Sequence, residues 1–174
     1  MKTIFVIAAI IAIGCAHTAT ATKFPAPKDR TVTSPNGTYA LDINTKTGQN
    51  DIREGEKVLW SFNRTVWLDV VYLSNDGQRV LWVAWEHVTV DDTHRKDALV
   101  VYSPEGVVLK KTFAEVSTPK KSKGSGPVGD FWRVWRSTTI TQNDDVISIP
   151  VKGKWRNLKI DLSSINAPEK LEHL

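Results

Sequence analysis

The sequence predicts an all-β protein, an antiparallel meander of roughly nine to ten short strands, sandwich-like or partial-propeller-like. Three observations predict it. Apolar residues alternate with polar or small ones at a period of two, as at Tyr39, Leu41 and Ile43, the mark of a half-buried strand. Glycine-bearing turns interrupt the chain at short intervals: Pro35-Asn36-Gly37, Asn75-Asp76-Gly77, Pro104-Glu105-Gly106 and Lys152-Gly153. Nowhere does an apolar period of 3.6 persist long enough to make a helix.

Taken in order, residues 1–21 stand apart from this pattern. Lys2 precedes an apolar run from Ile4 to Ile13, and small residues follow it. A positive start, a short apolar core and small residues describe a secretory leader, to be set aside from the fold. Such a run makes a helix of roughly 15 Å, about half the hydrocarbon thickness of a bilayer. The working part of the chain is therefore expected outside the cytoplasm.

Ala12-Ile13-Gly14-Cys15 resembles the lipobox of bacterial lipoproteins, with Ala12 in place of the commoner leucine. The resemblance covers only the leader and implies lipidation of Cys15. With Ala16 next, it implies an outer-membrane address in a cell with two membranes. Ala19-Thr20-Ala21 fits ordinary cleavage instead, which would leave a free periplasmic or secreted chain from Thr22.

Residues 22–31 read as an extended tether, 32–165 as one β domain and 166–174 as a polar tail. Strands are expected around Tyr39 to Ile43, then Val58 to Phe62, Val66 to Leu73 and Val80 to Val90. Ala98 to Tyr102, Val107 to Phe113, Phe131 to Thr141, Val146 to Val151 and Leu158 to Leu162 follow. About 150 residues bury roughly 68–70% of their unfolded surface, so the core needs no disulfide staple. None is available, because Cys15 is the single cysteine.

Three of the turns form a near-repeat. Ser34-Pro35-Asn36-Gly37, Ser74-Asn75-Asp76-Gly77 and Ser103-Pro104-Glu105-Gly106 resemble the Ser-Pro-Asp-Gly turns of periplasmic β-propeller blades. The resemblance implies blade-like hairpins and carries no functional residue. The turns recur at uneven intervals in a chain with room for only a few small units, so a compact sheet structure is expected rather than a closed propeller.

Net charge is +4 and drops by one once Lys2 leaves, too little to argue for nucleic acid. Lys120-Lys121-Ser122-Lys123 and the group Lys152, Lys154, Arg156 and Lys159 are local basic runs. They suit an acidic polysaccharide or an anionic lipid surface. The plainer alternative is a solvated loop and lysine-protected strand edges. Asn36-Gly37-Thr38 and Asn63-Arg64-Thr65 match glycosylation acceptors, a short pattern that arises by chance.

Tryptophan is the compositional anomaly. Seven occur, against three tyrosines and five phenylalanines. Trp82/Trp85 and Trp132/Trp135 are each three apart, which places the two indoles of a pair on opposite faces of a regular strand. Either both faces are covered or one presents an aromatic platform. A Trp-rich core is the simpler of the two. The densest segment, Asp130-Phe131-Trp132-Arg133-Val134-Trp135-Arg136, supplies the candidate ligand-binding residues Trp132, Arg133, Trp135 and Arg136.

Glu86 joins them as a pocket candidate, because it interrupts the apolar even-numbered face of the expected Val80–Val90 strand. A buried carboxylate requires a partner, and Arg64, Arg133 and Arg136 are available. His87, Asp91, Asp92, His94 and Asp97 follow no metal-ligand spacing. No nucleophile elbow or phosphate loop is present. No catalytic residue, metal or cofactor is assigned, and the reading leans away from an enzyme.

The expectation is an exported envelope binding or structural module. Its partner is an envelope glycan, peptide or protein, with membrane contact only through a lipid anchor and no nucleic acid. The rivals are an accessory subunit of an envelope assembly, and a glycan-acting hydrolase using Glu86 with His87 or Asp91.

Overall fold

The computed structural model describes residues 26–65, 69–84, 88–89, 95–116, 131–132, 140–150 and 158–165. In chain order the first strands are β1 (Arg30–Thr33), β2 (Tyr39–Ile43), β3 (Gln49–Glu54) and β4 (Lys57–Asn63). Next come β5 (Val70–Leu73), β6 (Val80–Val83), β7 (Val88–Thr89), β8 (Asp97–Ser103) and β9 (Gly106–Thr112). A single helical turn, α1 (Phe113–Val116), precedes β10 (Phe131–Trp132), β11 (Thr141–Asn143), β12 (Val146–Ile149) and β13 (Leu158–Asp161). A 3₁₀ turn at Leu162–Ser164 closes the described chain.

Eleven of these strands form three antiparallel sheets, ordered β1-β2-β3-β4, β5-β6-β8-β9 and β11-β12-β13, while β7 and β10 pair separately. The all-β expectation is met, and the described strands close no barrel. The sheets are stacked. Leu41, Ile43 and Ile52 of the first sheet pack against Val71, Leu73, Val80, Trp82 and Val100 of the second. Across the other face of the second sheet, Leu81, Val83, Leu99 and Val101 pack against Ile147, Ile149 and Ile160 of the third.

The middle sheet is thus buried on both sides, which explains its composition. A strand covered on both faces reads as a continuous apolar run, and β6 is Val-Leu-Trp-Val with every residue buried. The outer sheets alternate instead. The first turns Asp42, Asp51 and Ser61 outward, with Asp42 opposite Asp51 and Asp51 opposite Ser61. On the third, Thr141, Ser148 and Lys159 lie in register on the side away from Ile147 and Ile160.

Hairpin turns lock the stack at one end. Ser34 Oγ donates to Asn36 Oδ1 at 2.8 Å and accepts from the Tyr39 amide at 3.0 Å. Ser74 repeats this bond for bond, donating to Asp76 at 2.6 Å and accepting from the Arg79 amide at 2.9 Å. These two turns join the first two strands of their sheets. The Ser103–Gly106 turn joins the last two strands of the middle sheet, which explains why the repeat spacing is uneven.

In the third sheet the equivalent turn is Asn143-Asp144-Asp145-Val146. The Asn36 amide donates to Asn75 Oδ1 at 2.8 Å, and the Asn75 amide to Asp145 Oδ1 at 2.6 Å. Glycine is required at Gly77, where φ is +67° and an added Cβ would sit 2.7 Å from the Tyr39 ring. The Trp60 indole N–H seals the joint by donating to Gly77 O at 2.8 Å.

Several boundaries differ from the sequence expectation. β1 opens at Arg30, within the segment read as tether, and β3 was not anticipated. The expected Val80–Val90 strand does not run through: β6 ends at Val83, and Val88–Thr89 pairs with another partner. Its even-numbered face therefore stops at Ala84, and the face argument that singled out Glu86 loses its basis. Phe113 likewise leaves β9 and starts a turn of helix, buried against the second core.

Candidate functional site

The turn ladder fixes polarity. Because Asn36, Asn75 and Asp145 join, the β1–β2, β5–β6 and β11–β12 turns lie at one end of the stack. Antiparallel order then places the β3–β4 and β8–β9 turns there too. All other connections begin and finish at the opposite end: 44–48, 64–69, 84–96, 113–140 and 150–157. Turns at the first end are tight, and most connections at the second are long. A rigid sheet scaffold with long loops at one end is the usual arrangement for a recognition surface.

Tryptophan follows the same division. Trp60 and Trp82 belong to the packed interface between the first two sheets. The Phe62 ring stacks on Tyr102 at 4.3 Å and meets Trp82 edge-on at 6.2 Å. Trp67, Trp85, Trp132, Trp135 and Trp155 all fall in sequence on the long connections.

The stem of one connection is well built. Arg64 and Asp69 bracket residues 65–68, and both rest on Trp82. The Arg64 guanidinium lies 5.2 Å from the indole centroid, and its Nη1 donates to the Tyr102 hydroxyl at 3.1 Å. The indole N–H of Trp82 donates to the buried Asp69 carboxylate. Arg30 Nη2 donates to Asp69 O at 2.6 Å, fastening the same point to β1. A desolvated cation–π contact is worth about 2 kcal/mol. Trp82 therefore clamps the stem that carries Trp67.

Of the residues singled out from sequence, Trp132 lies in β10, where its backbone pairs with Val88 and Phe131 pairs with Thr89. That pair joins the chain just after Glu86 to the chain just before Arg133. Arg133, Trp135, Arg136 and Glu86 themselves lie outside the described residues, as do Cys15, His87, Asp91 and His94.

A scan against protein-family models and searches of curated proteins and of solved structures find no match to this chain. Sequence reasoning missed Asp69, the buried carboxylate beside the middle sheet. The signal was present in Trp67-Leu68-Asp69-Val70-Val71, a single acid inside an apolar run, as Glu86 was in another. Arg64, one of the arginines considered as a partner for Glu86, is engaged by Trp82 and Tyr102.

An open cleft of about 370 Å³ on the first sheet's outer face is the alternative site, bordered by Asp29, Thr31, Asp42, Asn44 and Asp51. Its carboxylates are taken up by their neighbours. Asp29 accepts from the Thr45 amide and hydroxyl at 2.8 and 2.7 Å. Asp42 accepts from Arg53 Nε at 2.7 Å and the Thr31 hydroxyl at 2.6 Å. Those bonds hold both carboxyls below the ordinary carboxylate range. Asp51 accepts from Ser61 Oγ at 2.7 Å. Among the described residues no group of three His, Cys, Asp or Glu is placed to hold a metal ion.

Proposed function

We propose that this protein is an exported binding module of the bacterial cell envelope. It is acylated at Cys15 or released by cleavage after Ala21, and it recognises its partner through aromatic and arginine side chains on the long connections. The observation that carries the reading is the β7–β10 pair, in which Trp132 pairs with Val88 and Phe131 with Thr89. Trp132, Arg133, Trp135 and Arg136 supply the contact surface, and Glu86 joins them only on the ground that Val88, two residues on, pairs with Trp132. Indoles give large, rigid, amphipathic contact area, and aromatic and arginine residues dominate recognition hot spots.

The test is retention on envelope polysaccharide by Trp132→Ala and Trp135→Ala. Loss of retention with an unchanged far-UV circular dichroism spectrum is expected. Collapse of the fold in both variants would return these indoles to the core and defeat the reading.

A second reading, an accessory subunit of an envelope assembly, draws on the outer edges of β4 and β9, which pair with no further strand among the described residues. Val58 and Val107 on those strands are 53% and 46% exposed, and an exposed edge accepts a strand from a partner. It predicts co-purification with one fixed protein and no polysaccharide retention.

A further inference from the structure

Asn36-Gly37 is the single Asn-Gly pair of the chain, and it sits where the first sheet is fastened to the second. A carboxamide followed by glycine is open to attack by the glycine amide nitrogen, because no Cβ crowds the approach. Both residues are exposed, and an added Cβ at Gly37 would meet nothing within 4 Å. A five-membered ring therefore has room to form.

The folded turn holds every group of that reaction in a hydrogen bond. The nucleophile, the Gly37 N–H, donates to Ser34 O at 2.8 Å. The leaving group, Asn36 Nδ2, donates to Asn75 O at 2.8 Å. Asn36 Oδ1 accepts from Ser34 Oγ at 2.8 Å and from the Thr38 amide at 3.0 Å. Of these bonds only the one from Nδ2 requires an amide at position 36. Asp76 fills the equivalent place in the second turn, accepting from Ser74 Oγ and the Gln78 amide, so the turn itself accommodates a carboxylate. The clasp on Asn75 O does not, since an oxygen in place of Nδ2 sets acceptor against acceptor.

We infer that Asn36 is a site of spontaneous deamidation, held in check by the turn and its clasp on Asn75, and that conversion to an acid unfastens the first sheet from the second. The Gly37 nitrogen bonds to Asn36 Cγ, the Cγ–Nδ2 bond breaks, and the Gly37 amide proton leaves with Nδ2 as ammonia. Water then opens the cyclic imide at either carbonyl, giving aspartate or isoaspartate and a new negative charge. Aspartate loses the bond to Asn75 O, and isoaspartate also lengthens the turn by a backbone carbon. None of this depends on what the protein binds.

The purified protein is incubated at mildly alkaline pH, folded or in urea, and the peptide carrying Asn36 is followed by mass spectrometry. Deamidation should be roughly 100- to 1000-fold slower in the folded protein, since four bonds of ordinary net strength must open together. Asn75→Ala removes the Oδ1 that receives the Asn36 amide and should speed the folded-state reaction by roughly fivefold. Asn36→Asp should lower Tm by roughly 2–4 °C and raise hydrogen exchange at the residue 36 amide.

Equal rates in the folded and unfolded protein, or a folded-state rate unmoved by Asn75→Ala, overturn the protection by the clasp. An Asn36→Asp variant with the parent's Tm and exchange overturns the unfastening. The first comparison uses the parent chain alone and stands whatever a substitution does to folding.

Discussion

Leu81 and Trp82 are adjacent on β6, fully buried, and point to different layers. Leu81 joins the core shared with Ile147 and Ile149, Trp82 the core shared with Leu41 and Ile52. In a two-layer sandwich one of two neighbouring positions on a strand faces solvent, and its truncation costs within about 0.5 kcal/mol. In the three-layer stack both truncations leave cavities. Leu81→Ala should cost about 2–5 kcal/mol and Trp82→Ala about 3–5 kcal/mol, each a large share of a typical 5–15 kcal/mol total. For a domain of about 150 residues, a loss of about 3 kcal/mol lowers Tm by roughly 6–12 °C. Urea unfolding should be followed by far-UV circular dichroism, since Trp82→Ala removes a fluorescent reporter. Val58→Ala, at a half-exposed edge position, serves as the control and should stay within about 0.5 kcal/mol. A cost below about 1 kcal/mol for either core variant would place that face of β6 in solvent and refute the central position of the middle sheet.

The turn ladder is tested by Asp145→Ala, which frees the Asn75 amide; a loss of about 1 kcal/mol and faster hydrogen exchange at Asn75 are expected, and unchanged exchange would contradict the bond. Gly77→Ala and Gly55→Ala both force alanine into positive φ, at about 1–2 kcal/mol each. Only Gly77 has the Tyr39 ring in the way, so its Tm should fall further; equal shifts would remove Tyr39 from that contact. Asp42 has a folded pKa depressed by Arg53 and Thr31. Its contribution is therefore fully present above the ordinary carboxylate range and lost as pH falls through the folded value. Asp42→Asn should lower Tm near neutral pH and converge with the parent in acid. The effect is small because the side chain is 44% exposed, and a gap that persists in acid would point to packing instead.

The fold was legible where local chemistry and burial agree. The Ser-x-x-Gly turns are self-contained hydrogen-bond motifs, so Ser34–Gly37 and Ser74–Gly77 stand where the sequence puts them. β3 was invisible because its inward positions are Asn50 and Ile52, and Asn50 is buried by side-chain bonds to Gly48 O and Arg64 O, which no periodicity registers. β1 hid in a polar run that is only partly covered. The break after Val83 was unreadable because Ala84-Trp85-Glu86-His87-Val88 continues the alternation of a strand, and only the pairing with β10 assigns Val88 to another partner. α1 is too short to show a period. At the candidate site the pairing of Val88 and Thr89 with Trp132 and Phe131 is long-range, and composition does not encode it. Asp69 was overlooked because a single acid inside the expected Val66–Leu73 strand reads as a solvent-facing position of the alternation.

The central claim is that some tryptophans form the core and others form the recognition surface at the long-connection end. Hydroxyl-radical footprinting of the chain from Thr22, read by mass spectrometry at each indole, tests it most directly. Strong labelling at Trp132 and Trp135, with Trp60 and Trp82 protected, is the predicted result. Uniform protection of all seven indoles would contradict it.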